Sequence, residues 1–75
     1  MMNITKDAAI EILDSDKKLS IELITGQRGF CSKGNQVAWF YMHHGMIDAF
    51  TKLGLLTEEE HDELETEWDT HYPEA

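Results

Sequence analysis

The sequence is poor in the residues that staple, break or anchor a chain. It holds one cysteine, Cys31, and one proline, Pro73, among 75 residues. A lone cysteine excludes an internal disulfide framework and fits a reducing compartment, so a cytoplasmic location is expected. No apolar run approaches the roughly 18 residues a membrane helix needs. The longest, VAWFYM, has six. The N-terminus also lacks an apolar leader, so neither secretion by a signal sequence nor a membrane association is expected.

Basic side chains are scarce, and the scarcity has a pattern. Six lysines and arginines face fifteen carboxylates, for a net charge of −9. Residues 1–52 are neutral, with six acids against six bases. The other nine acids all fall in residues 58–75, where no lysine or arginine occurs. A chain of this balance repels phosphate backbones, so direct nucleic-acid binding is disfavoured. It would attract a basic protein surface, including one that normally holds nucleic acid.

What remains is a chain short enough for one domain. A domain this small buries a limited fraction of its surface and gains from a helper such as a metal or a partner subunit. Its apolar spacing is mostly helical, and a mainly α fold is expected. A first helix is read from Lys6 to about Asp14, capped by Thr5, with Ala8, Ala9, Ile12 and Leu13 as its apolar side. SDKK then reads as a turn. Leu19, Ile21 and Leu23 alternate with Ser20 and Glu22, which predicts a short strand or hairpin near residues 19–25; a helical turn starting at Ser20 competes with it.

TGQRGFCSKGN, with three glycines, reads as a loop. Asn35 would cap a helix over about 36–53, and Phe30 would tuck inward. Trp39, Met42, Met46, Ala49, Phe50 and Leu53 recur along that helix at helical spacing. Gly54 suits its C-terminal cap. Thr57 and Glu60 form the capping-box pattern that opens a third helix over about 58–70. The short link predicts an antiparallel C-terminal hairpin, with Trp68 against the Trp39–Met46 half of its neighbour.

The residue types that support catalysis are present without a pattern. Cys31 lies in a loop beside Arg28 and Lys33, yet nothing fixes a histidine base next to it. His43 and His44 point to different sides of a helix, so the two rarely ligate one ion, and no CxxC or HxxxH pair occurs. GQRGFCSKG matches neither the P-loop nor the dinucleotide fingerprint. No enzyme, metal or cofactor is expected on these grounds.

The third helix carries the strongest functional signal. Glu58, Asp62, Glu65 and Asp69 share one face, flanked by Glu59 and Glu63, with no base at i+4 to offset them. Such like-charge neighbours cost about 0.2–0.5 kcal/mol each in an isolated helix. A basic partner would cancel that cost and be steered by it. The leading expectation is therefore an acidic protein-binding module or inhibitor that imitates nucleic-acid charge. The alternative is a non-catalytic accessory subunit, homodimeric or larger, that acts through the aromatic and methionine stripe at Trp39, Phe40 and Tyr41.

Overall fold

Three helices account for the architecture: α1 (Lys6–Ile24), α2 (Lys33–Lys52) and α3 (Glu58–Asp69). The structure, a computed structural model, describes residues 4–73, and among these no strand occurs. The mainly α expectation holds in that form.

The expected turn at SDKK and the strand near residues 19–25 are both replaced by helix, because α1 runs unbroken to Ile24. No glycine or proline interrupts this stretch. Its buried face is Ala9, Leu13, Ser20 and Ile24, a helical series whose middle is polar. The gap is filled by Asp16, which accepts a hydrogen bond from buried His43 Nδ1 at 2.7 Å. Ser20 Oγ lies 3.4 Å from the same Asp16 oxygen. The apolar stripe thus pauses where two helices share a polar contact, and that pause resembles a turn when read from sequence.

Both glycine-terminated helices end in the same way. Gly26 and Gly54 sit at φ +77° and +81°, a left-handed geometry open to glycine at no steric cost. Gln27 N–H then reaches Glu22 O at 2.9 Å, and Leu55 N–H reaches Phe50 O at 3.0 Å, satisfying carbonyls that the helix end would orphan. The start of α2 differs from expectation. Ser32 is its N-cap and accepts from Asn35 N–H at 3.2 Å, so Lys33 and Gly34 are already helical. Phe30 is 96% exposed and does not tuck inward.

The core gathers Ala9, Leu13 and Ile24 from α1, Phe40, Ile47 and Phe50 from α2, Leu56 from the link and Trp68 from α3. Phe40 and Trp68 stack at 5.4 Å with nearly parallel rings. Trp68 Nε1 donates to Phe40 O at 2.9 Å, so the indole is fixed at both its apolar and polar ends. α2 lies between its neighbours and packs on both. α1 and α3 are bridged by two lysines instead, Lys6 to Glu60 at 2.6 Å and Lys17 to Glu67.

Those bridges set an acid limit. Lys6 first, then the Thr57 backbone N–H, holds the Glu60 carboxyl below its ordinary 4.5, and Lys17 does the same for Glu67. Carboxyls with depressed folded values supply stability above their unfolded value, and it is lost as the pH falls through the folded one. The melting temperature should therefore drop between about pH 5 and pH 3. A Lys6→Met, Lys17→Met double variant should show a shallower drop over the same range. Equal slopes would show that the bridges do not link α1 to α3 in solution.

Candidate functional site

α3 divides into four strips rather than two faces. Thr57 and Glu60 form the capping box that starts it: Thr57 Oγ1 accepts from Glu60 N–H at 3.1 Å and Glu60 Oε1 accepts from Thr57 N–H at 2.9 Å. Trp68 and Leu64 anchor the inward side. Glu60 and Glu67 lie on the flank toward α1, where the two lysines meet them. His61, Glu65 and Asp69 lie on the flank toward α2. Between the flanks, Glu58, Glu59, Asp62 and Glu63 face solvent.

The structure therefore divides the six acids expected to share one binding face. Glu58, Glu59 and Glu63 are exposed and make no ion pair among the described residues. Asp62 is exposed and, among the described residues, pairs only with His61. Asp69 is exposed with one oxygen 3.8 Å from His44 Nε2. Glu65 departs from the set: its side chain is 16% exposed and turned against α2. Leu64 just before it and Trp68 three residues on place it at the edge of the buried strip, where burial raises its carboxyl above the ordinary 4.5. Glu74 lies outside the described residues.

Around Glu65 the two helices bring four side chains together. On α2, His44 and Asp48 are one turn apart; on α3, His61 and Glu65 are one turn apart. The two carboxylates sit between the two imidazoles. His61 Nε2 lies 2.6 Å from Asp48 Oδ1 and 2.8 Å from Glu65 Oε1. On the other side, His44 Nδ1 lies 2.5 Å from Glu65 Oε2 and 3.8 Å from Asp48 Oδ2. His61 Nδ1 also faces Asp62 Oδ1 at 3.1 Å, so both of its ring nitrogens point at carboxylates. Only a protonated ring donates from both positions. In keeping with that, the Asp48 hydrogen bond, reinforced by Asp62, raises His61 above its ordinary 6.5. The same contact, led by the His61 hydrogen bond, holds Asp48 below 3.8.

An HxxxH pattern does not describe this cluster. The legible signal is a mixed one, HxxxD at His44–Asp48 and HxxxE at His61–Glu65, each presenting two donors on one helical face. His43, by contrast, is a core residue, buried on Trp68 with ring centroids 4.3 Å apart.

The remaining candidates stay apart from this site. Cys31 joins no group of potential metal ligands among the described residues. Arg28 pairs with Glu22 at 2.9 Å, and Lys33 donates to Pro73 O at 2.6 Å. The loop's two cations are thus engaged within the chain. Of the aromatic stripe, Phe40 is core, Trp39 is half-buried against the core, and Tyr41 is 54% exposed. Tyr41 alone among the three offers most of its surface to a partner.

No protein-family model matches this chain, and no match to it is found among curated proteins or solved structures.

Proposed function

We propose that this chain is a non-catalytic, acidic protein-binding module, with α2 and α3 as an antiparallel hairpin that presents the outer strip of α3 to a basic protein surface. One observation carries the reading. Glu58, Glu59, Asp62 and Glu63 lie together on the exposed strip, while the cations that face α3, Lys6 and Lys17, are committed to its α1 flank. The negative field is left uncompensated on one side only. A row of carboxylates along a helix resembles the repeated charge of a nucleic-acid backbone, so a nucleic-acid-binding protein is the partner class favoured, with inhibition as the outcome. Charge complementarity of this kind acts mainly on encounter rate and orientation.

The structure changes which residues test the idea. Glu65 belongs to the inner cluster, so the informative variant is Glu59→Lys, Asp62→Lys, Glu63→Lys. The wild-type chain should retain a basic partner at low salt and lose it as screening shortens the field to about 8 Å near physiological ionic strength. The triple variant should bind the same purified partner at least about tenfold more weakly, chiefly through a slower association rate. Equal rates for both proteins would end the docking proposal.

A further inference from the structure

The four-residue cluster between α2 and α3 has a chemistry that the acidic strip lacks. Imidazole nitrogens and carboxylate oxygens are the donors that zinc and related first-row divalent cations take. One donor atom from each of His44, Asp48 and Glu65 lies within 4.8 Å of the others. The oxygens are also sorted by side. Asp48 Oδ2 and Glu65 Oε2 face His44, whereas Asp48 Oδ1 and Glu65 Oε1 face His61.

A second observation points into the His44 side. Glu65 Oε2 is buried and has no hydrogen-bond partner. His44 Nδ1 is 2.5 Å away, but the two do not meet in hydrogen-bonding geometry. An unsatisfied buried carboxylate oxygen costs free energy, and a cation beside it removes that cost. Two carboxylates held together between helices repel each other; His61 offsets this through the oxygens on its own side, and a cation on the His44 side would offset it through the other two. Tetrahedral coordination at about 2.0–2.1 Å needs donors roughly 3.3–3.4 Å apart. The His44 nitrogen lies 2.5 and 3.8 Å from its two oxygens, so small side-chain rotations reach that spacing.

We propose that His44 Nδ1, Asp48 Oδ2 and Glu65 Oε2 form a binding site for a divalent transition cation of the zinc class, with His61 as the positioning residue on the far side of both carboxylates. His61 holds Asp48 and Glu65 by their other oxygens, the usual way outer partners orient metal ligands. Asp48 and His44 remain partly open to solvent, which leaves a coordination position for water and a path of entry. The imidazole selects against calcium and magnesium, which favour sets of six or more oxygens. The ion would clamp α2 to α3 and so lend a small domain stability that its core supplies sparingly.

Titration of the full chain with zinc chloride, followed by calorimetry, tests the site. One equivalent should bind and raise the melting temperature, and calcium chloride at equal concentration should do neither. Cobalt(II) should give the visible absorption of a four-coordinate nitrogen–oxygen site. His44→Gln and Asp48→Asn, on the solvent side, should abolish specific binding, and His61→Gln should weaken it about 10–100-fold. Glu63→Gln, on the outer strip, should bind as wild type does. Absence of stoichiometric zinc binding by the wild type would overturn the site. So would wild-type affinity in folded His44→Gln or Asp48→Asn, with folding checked by circular dichroism.

Discussion

Trp68→Ala should be the most damaging single substitution in this protein. Trp68 is fully buried, stacked on Phe40, in contact with His43, and hydrogen-bonded to Phe40 O. Truncating a buried Trp to alanine costs about 3–5 kcal/mol, since the lost apolar transfer is joined by the cavity left behind. Native proteins hold only about 5–15 kcal/mol in total, so the variant should lose a large share of its stability. The damage should centre on α3, because Trp68 is the one residue of that helix in the buried core. Trp68→Phe should cost less. It keeps a ring against Phe40 and gives up the indole donor, whose net worth is about 0.5–1.5 kcal/mol. Urea unfolding monitored by circular dichroism separates the cases, and a loss under about 1 kcal/mol for the alanine variant would contradict this packing.

The second large effect is expected at the Asp16–His43 contact. His43 is 3% exposed, and Asp16 is its hydrogen-bond partner across the α1–α2 interface. Asp16→Ala removes the acceptor and strands a buried imidazole N–H, at a cost of about 1–3 kcal/mol. Asp16 itself is a quarter exposed, so water can reach part of the gap and the lower half of that range is expected. His43→Leu alone leaves a half-buried carboxylate facing an apolar side chain and should also destabilise. The double variant Asp16→Leu, His43→Leu should recover much of the loss, because both partners are then apolar. A coupling free energy above about 0.5 kcal/mol from the cycle would support this; additive losses would show that the pair is not coupled.

These two sites also show how far the sequence could be read. Trp68 is legible because its anchoring needs only helical spacing and a capped start, and Thr57, Glu60, Leu64 and Trp68 supply both within one short segment. Gly54 is legible for the same reason: a left-handed cap is a local demand that one residue type meets at least cost. Asp16 is not legible. A charged residue in the middle of an apolar series argues for a turn unless its partner is known, and His43 is 27 residues away. The strand expected near residues 19–25 followed from that misplaced break, since Leu19, Ile21 and Leu23 alternate only when separated from Leu13 and Asp16. Glu65 is not legible for a related reason. Its position on the helix wheel is shared with exposed acids, and only the approach of α2 covers its carboxylate beside His44.

By itself, then, the sequence determined what depends on neighbours within a few residues: helical class, the capped third helix, its inward tryptophan and the one-sided placement of its charge. Tertiary structure alone decided what depends on which helix lies beside which. It joined α1 through its polar gap, neutralised Glu60 and Glu67 with lysines more than forty residues distant, and left Glu58, Glu59, Asp62 and Glu63 open. It also drew His44, Asp48, His61 and Glu65 into one cluster. The physical reason is range. Caps and periodicity act through the local backbone, whereas burial and charge pairing are set by whichever surface folding brings within a few ångströms.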